Sequence, residues 1–220
     1  LAAAAQKLKG RKPEETAIIA SAWMTNEELF LVRRLARALG VENLDVLPRP
    51  QKGDGFLVSD DGNPNTSGAR LLGLQTGKLP AIVRGVEEGL ITGLVVLGED
   101  AADCGISGPG LQGLELIVAM GILANRTTPH ASVVLPSSAW AEKRGSMINV
   151  KGRLQRLNQA IQPPGQARDD WEILRDLIQL LSGTNGIYAI EDVFKQMAAE
   201  TPALSGLTLS RIGDLGIQLT

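Results

Sequence analysis

The sequence predicts an α/β, Rossmann-like fold: a mostly parallel sheet with helices on both faces. Three observations predict it. Short β-branched apolar runs recur along the chain, amphipathic helical stretches separate them, and some of the runs are apolar throughout, as strands buried on both faces are. With 220 residues, 44% of them hydrophobic, the chain can close a substantial core as one large domain or two small ones.

Residues 1–12 (LAAAAQKLKGRK) read as a helix entered partway, with neither initiator Met nor a basic-then-apolar leader, and suggest a piece of a longer polypeptide. TAIIAS at 16–21 is a strand. Thr25, Asn26, Glu27 and Glu28 then supply a cap and first-turn acids for a helix through LFLVRRLARALG. In it Leu29, Val32, Leu35, Ala36 and Leu39 share one face, Arg33, Arg34 and Arg37 lie off it, and Gly40 stops it. NLDVLP at 43–48 is the next strand, so the opening is a βαβ unit, whose helical crossover favours parallel pairing. Residues 49–78, rich in Gly, Pro, Asn and Asp, are expected to be an irregular excursion and not a core element.

The rhythm then restarts. Pro80 opens a helix through AIVRGVEEG, and LITGLVVLG is a continuous buried strand. GISGPGLQG at 105–113 is a flexible connection, followed by strands at 114–120 and 131–136. Helices at 171–182 and 190–200 are entered from Asp169 and Asp170 and from Glu191 and Asp192, acids that suit the positive end of a helix dipole. Short strands at 146–157 and 207–219 close the chain. The expected organisation is a first α/β half over 1–78, a second over 79–185, and a C-terminal helix and tail over 186–220. In such sheets ligands bind beyond the carboxyl ends of the strands, here the loops after Ser21, Pro48, Leu97, Met120 and Pro136.

Several functions are excluded or disfavoured by composition. A net charge of −2 with interspersed signs leaves no basic stripe for nucleic acid. The longest apolar stretch, 114–124, is broken by Glu115 and Gly121 and falls short of the roughly 20 residues a membrane span requires. The single Cys104 and single His130 can form neither an internal disulfide, an iron–sulfur centre nor a multi-histidine metal site, so no metal ligand is expected. GISGPG lacks the spacing of a dinucleotide fingerprint and the Lys-Ser/Thr of a P-loop, and reads as a plain turn. Ser137 and Ser138, with His130 as base and Asp169 or Asp170 as orienter, make a weak nucleophile candidate, because LPSS more simply ends a strand. Cys104 is either a small buried hydrophobe or an exposed thiol. No catalytic residue is assigned.

The run ASVVLPSSAWAEKRGSMINVKGRLQRLNQAIQPPGQARDDWEIL at 131–174 resembles the signature stretch of the molybdopterin oxidoreductase family, in which V-V-L-P is followed by E-K-x-G-[ST], an Asn, G-R-x-Q and P-P-G-x-A-R-x-D-W-E-I. LITGLVVLGED at 90–100 is more loosely similar to the family's strand and G-E-N element, and GDGFLVSDDGNPNTSGARLLGL at 53–74 is most similar to the G-subunit branch of bacterial NADH-quinone oxidoreductase, respiratory complex I. The resemblance implies the formate dehydrogenase/DMSO reductase domain type and, in active members, a molybdenum cofactor carried between such domains. Departures from the family pattern fall at Asp100 and Ala101 (G-E-N-P in the family), at Arg126 (the acid of T-E-T-A), at Ser132 (an Asp) and at Arg144 (the acid of E-K-E-G).

The leading expectation is therefore a cofactor-free structural domain of the G-subunit type. It would act as scaffold and subunit contact in the peripheral arm on the cytoplasmic face, with no residue binding a cofactor and any iron–sulfur clusters in other parts of the parent chain. Its partners would be other subunits of that arm and further domains of the same chain. The alternative is the cofactor-binding part of a molybdenum guanine-dinucleotide oxidoreductase such as formate dehydrogenase, with Gly98, Glu99, Asp100 and Thr127 at the dinucleotide. A stand-alone nucleotide-binding module is a weaker third reading. Physically, 162–165 (QPPG) reads as a rigid turn launching the helix at Trp171. Arg153 and Arg168 are candidates for ion pairs with Asp169, Asp170 or Glu172, and Trp140 and Trp171 for packing anchors.

Overall fold

The computed structural model describes residues 1–183 and 186–219. The expected division at 185/186 therefore adjoins positions outside the described residues. Five parallel strands, β1 (Thr16–Ala20), β2 (Asn43–Val46), β3 (Gly93–Leu97), β4 (Leu116–Gly121) and β5 (Val133–Pro136), form one sheet in the order β2-β1-β3-β4-β5. That is a doubly wound order, with its switch point between β1 and β3. Ile18 pairs with Leu44 on one side and Val95 on the other, and Val95 continues to Val118, which makes the middle of the sheet wholly aliphatic.

Side chains alternate between two buried layers, as the two-residue period of a strand requires. Ile18, Ala20, Val95, Leu97 and Val118 face α1 (Ala2–Lys9), α2 (Asn26–Leu39), α6 (Asp170–Ser182) and α7 (Ile190–Glu200). Ala17, Ile19, Leu94, Val96 and Ile117 face α4 (Leu79–Glu87) and α5 (Gly108–Gly113). The fold class read from the sequence is thus the observed one.

Three differences have physical causes. The excursion over 49–78 contains α3 (Thr66–Leu71), and its Ala69, Leu72 and Leu74 are buried in the main core, so six helical residues too few to show a period do contribute to packing. The stretch at 105–113 is a capped helix and not a flexible connection: Ser107 Oγ accepts from Gly110 N at 3.0 Å. At the chain's end a small antiparallel sheet joins β6 (Gly145–Ile148), β7 (Arg153–Leu157) and β8 (Ile217–Gln218), while 207–216, expected as strand, holds a 3-10 turn at Leu209–Arg211 and no strand. Among the described residues no helix is long and apolar enough to cross a membrane.

Thr25 caps α2 through a full capping box, its Oγ1 accepting from Glu28 N at 3.3 Å and Glu28 Oε2 accepting from Thr25 N at 2.8 Å. The first-turn acids of α2, however, do not face water. Glu27 and Glu28 are fully buried, and that fact organises the region around them.

Candidate functional site

The loops at the carboxyl ends of β1, β3, β4 and β5 converge on two adjoining clefts that share Ile122. The first, about 180 Å³, is lined by Glu99, Met120, Leu123, Asn125, Thr128 and Pro136 among others. It is small beside the roughly 300–1,000 Å³ of ordinary ligand pockets, too small to enclose a ligand of ordinary size by itself. The second, about 70 Å³, lies between the β1, β3 and β5 loops and is lined by Trp23, Gly98, Trp140 and Lys143 among others.

Gly98 ends β3 at φ +73°, a left-handed conformation that glycine adopts freely, and a Cβ there would come within 3.2 Å of Ser21 Cβ. The turn throws Glu99 inward. Its side chain is fully buried and its Oε2 is paired with Arg49 from the loop after β2. Its Oε1 has no hydrogen-bond partner, although the Ser21 hydroxyl approaches the carboxylate. Burial raises the Glu99 pKa, and Ser21 and Arg49 oppose the rise.

Asp100 and Thr127 behave differently. Thr127 Oγ1 donates to Asp100 Oδ1 at 2.7 Å and accepts from Ala101 N at 2.7 Å, while Asp100 Oδ2 takes Arg126 N at 3.2 Å and Arg126 Nε at 3.1 Å. Burial works against the Asp100 charge, but these bonds outweigh it and hold the carboxyl below its ordinary range. Asn125 adds Nδ2–H···O=C to Glu99 at 3.2 Å. The β3 and β4 loops are thus laced to each other, and Asp100 and Thr127 spend their polar atoms inside the protein. Of the four candidate residues only Glu99 presents an unspent polar atom.

Behind the clefts lies a buried charged node. Lys143 Nζ donates to Glu28 Oε2 and to Asp170 Oδ2, both at 3.0 Å, tying the first turns of α2 and α6 to the loop after β5. Burial disfavours the ammonium, yet the two carboxylates overcome this and raise its pKa. Beside it Glu27 accepts from Ser146 N and Ser146 Oγ, both at 2.8 Å, and burial lifts its pKa to about 7. Gly145 is required here by space, because a Cβ would stand 2.6 Å from Thr25 Cγ2 and 2.9 Å from Glu27 Oε2. Glu27, Glu28, Lys143 and Ser146 escaped the sequence reading as a unit. The lysine's partner Glu28 lies 115 positions away, and first-turn acids normally face solvent.

Other candidates resolve plainly. Trp171 is buried and anchors α6, with Arg175 stacked 5.2 Å from its ring centroid, but Trp140 is 62% exposed and is no packing anchor. Arg168 pairs with Glu172 at 3.2 Å and with Asp176 at 2.8 Å; Asp170 goes to Lys143 instead. Arg153 makes no ion pair with these acids, its Nη1 donating to Leu215 O at 3.0 Å across the small sheet. Arg144 pairs with Glu191 at 2.6 Å. Ser138 Oγ donates to Asp169 Oδ1 at 3.1 Å, while His130 lies before β5 and both serines after it, so the strand's length, about 3.3 Å per residue, keeps base and nucleophile apart. Cys104 is buried, its thiol donating to Asp100 O at 3.3 Å and its pKa pushed up to about 12 by burial. The Ser107 turn holds a carboxylate in place of a phosphate: Glu87 accepts from Ser107 N at 2.7 Å and from Ser107 Oγ at 2.8 Å. No cluster of three metal-ligating side chains occurs among the described residues.

Comparison with known proteins bears on this geometry. Residues 72–180 match the family model described as molybdopterin oxidoreductase. The chain is 36% identical over 110 residues (49% of this chain, 16% of the relative) to the F420-dependent formate dehydrogenase 1 subunit alpha of Methanococcus maripaludis. It is 34% identical over 142 residues (59% of this chain, 17% of the relative) to the NADPH-Fe(3+) oxidoreductase subunit alpha of Geobacter sulfurreducens. A putative formate dehydrogenase of Bacillus subtilis is 30% identical over 154 residues (68% of this chain, 14% of the relative). Each match spans less than a fifth of the relative's length. Among solved structures, acetylene hydratase from Pelobacter acetylenicus shares the fold at a TM-score of 0.50 and 15% identity, over 67% of this chain and 21% of that one.

Proposed function

We propose, from the premise that residues 72–180 are molybdopterin oxidoreductase domain, that this chain is a cofactor-holding α/β unit of a larger oxidoreductase of the formate dehydrogenase type. The observation that carries the reading is Glu99: a fully buried carboxylate at the end of β3, beside the topological switch point, with one oxygen unsatisfied and lining a cleft. A buried acceptor left without a donor is costly, and a bound group presenting N–H donors removes the cost. A guanine-bearing dinucleotide fits that description through the ring N–H and amino group on one edge of its base. Glu99 would hold that edge, while Gly98 would let the backbone turn there. Asp100 and Thr127 do not fit as ligands; they fix the loop that carries Glu99. When bound, the cofactor's metal supplies the oxidation–reduction chemistry. The formate dehydrogenase and NADPH-Fe(3+) oxidoreductase relatives support this reading.

The test is thermal unfolding of the chain with GMP and with AMP. GMP at about 100 times its dissociation constant should add roughly 2.7 kcal/mol of stability, AMP much less, and E99Q should abolish the preference. Equal effects of the two nucleotides, or none, would sink the assignment. A second reading, a cofactor-free scaffold of the G-subunit type in respiratory complex I, draws support from the Asp100–Thr127–Arg126 lacing and from Arg49 at Glu99, which together let the loops stand without a ligand. Molybdenum or tungsten together with pterin, near one equivalent in the intact protein, favours the first reading; neither in the intact protein favours the second.

A further inference from the structure

The loop after β2 is built to hold apolar side chains in water. Its two arms are joined by Gln51 N donating to Asp60 O at 2.9 Å and Asp54 N to Val58 O at 3.2 Å, and Asp60 Oδ1 accepts from Gly53 N at 2.9 Å. At the tip Asp54 Oδ1 accepts from three successive amides, Phe56 N, Leu57 N and Val58 N, each at 2.8 Å, and these bonds hold its carboxyl below the ordinary range. The result is a finger over 50–61 whose Phe56 and Leu57 are 87% and 82% exposed. Fixing the backbone beneath two large apolar side chains that stay in water costs entropy and gains no burial, so the tip marks a contact surface. The finger carries Asp54, Asp60 and Asp61 against Lys52, a balance that anionic lipid repels and a cationic protein surface attracts.

At the opposite end of β2 the same chain carries the complement. A groove of about 350 Å³ has the buried Ala36, Val41 and Leu44 as its apolar part and Arg33 and Arg37 beside them. Arg33, Arg34 and Arg37 share one carboxylate, Glu200, at 2.8, 3.0 and 3.2 Å. Burial and repulsion from Arg37 lower the Arg33 pKa against the pull of Glu200, so the end of α2 is short of negative charge. The single acid lining the groove, Glu42, is accompanied by Lys78, whose Nζ donates to Glu42 O at 2.8 Å. We infer that the groove receives the finger of a second copy of this chain, Phe56 and Leu57 entering the apolar part and the acidic flanks facing Arg33 and Arg37. Finger and groove are separated by the length of β2, about 13 Å at 3.3 Å per residue, and within one copy the tip stands in water, so the contact forms between copies. Each copy presents one finger and one groove, and such a heterologous contact adds copies head to tail in place of closing a two-fold dimer.

The experiment is analytical ultracentrifugation of the chain over a concentration series at low and high salt. The wild type should sediment as species larger than a monomer by about 0.5 mM, the range of weak contacts, and added NaCl should weaken the association because the paired charges are exposed. F56S/L57S should weaken it about a hundredfold or more, the scale of two large apolar side chains left unburied. R37E, at a side chain 63% exposed, should weaken it at least about tenfold. The decisive arm mixes the two variants. F56S/L57S keeps its groove and R37E its finger, so the mixture should give a one-to-one dimer and nothing longer, which two misfolded variants would not. Neither element contains Glu99, so E99Q should associate as the wild type does, and failure of the Glu99 reading and failure of this one are separable. A wild type that stays monomeric, F56S/L57S that associates unchanged, or a mixture without the dimer would overturn the inference. Binding of the monomeric chain to vesicles of phosphatidylcholine and phosphatidylserine, lost in F56S/L57S, would overturn it in favour of a lipid surface.

Discussion

Removing the charge of Lys143 is the sharpest perturbation the structure offers. The lysine side chain is 6% exposed, and its two partners, Glu28 and Asp170, are 0% and 4% exposed. In K143M both carboxylates would remain buried with no counter-charge, a situation that costs about 3–5 kcal/mol when one partner of a buried pair is deleted. For a chain of this size 1 kcal/mol corresponds to roughly 2–4 °C in Tm, so a fall of about 6–20 °C is expected. The loss should be pH-dependent. Without the ammonium nothing cationic opposes the burial that raises the Glu28 pKa, so the folded state binds a proton there that the unfolded state has released, and K143M should recover stability as pH falls from 7.5 to 5.5. The triple variant K143M/E28Q/D170N, which removes all three charges, should regain most of the loss. Urea unfolding of the wild type and the two variants at the two pH values measures this. A K143M cost below about 1 kcal/mol, the scale of an exposed pair, would refute the claim that this node holds α2 and α6 together.

Glu27 makes a second pH prediction, because burial raises its pKa from 4.5 to about 7. The folded state then binds a proton that the unfolded state has released between those values, so stability falls as pH rises through that window and levels off above it. At 1.36 kcal/mol per unit the term is about 3 kcal/mol. Glu99 and Asp169 are raised as well and act in the same direction, so the informative quantity is the wild-type slope minus that of E27Q, and equal slopes would remove Glu27 as the source. Cys104, buried and with its thiol pushed up to about 12, should resist iodoacetamide at pH 8 in the folded protein and react once urea unfolds it; labelling at the same rate in both states would contradict its placement. In G145A the new methyl would press on Thr25 Cγ2, and overpacking of this kind costs about 1–3 kcal/mol, measurable as a drop in the urea midpoint; an unchanged midpoint would show that α2's first turn can yield.

Periodicity made the scaffold legible and left the polar interior hidden, for a definite reason. β1, β3, β4 and β5 are readable because their residues are apolar in runs, β2 (NLDV) because it follows a capped helix and its stop, and α2, α6 and α7 because their apolar positions recur at helical spacing. The helix α3 was too short to show a period, and GPGLQG in α5 looked like a turn because Gly and Pro dominate it while its cap, Ser107, is an ordinary turn residue. At the candidate site, the sequence points to the loops that line the two clefts but not to who bonds to whom. Asp100 and Thr127 were grouped with Glu99 as ligand residues, and only the fold shows that they satisfy each other. The size of Trp140 suggests an anchor, but whether an indole is covered depends on elements far away in the chain.

The densest part of the family-like stretch has a structural explanation that separates it from ligand binding. In AEKRGS, Glu142 Oε2 accepts from Ala139 N at 2.8 Å, Lys143 bridges Glu28 and Asp170, Gly145 leaves room for Thr25, and Ser146 serves Glu27. Three of these four contacts are made to the first turn of α2, and none is made to Glu99 or the cleft it lines. The stretch therefore fixes how β6 and α6 dock on α2, through contacts that stand without any ligand. A scaffold and a cofactor-loaded enzyme would both need Lys143 and Gly145, and would differ at Glu99 and Arg49. Losing the Glu99 carboxylate should cost ligand recognition with little cost to folding, whereas losing the Lys143 ammonium should cost folding first. That contrast assigns the strongest sequence signal to the architecture and leaves the ligand question to Glu99 and its partner Arg49, which both stand outside the best-matching run.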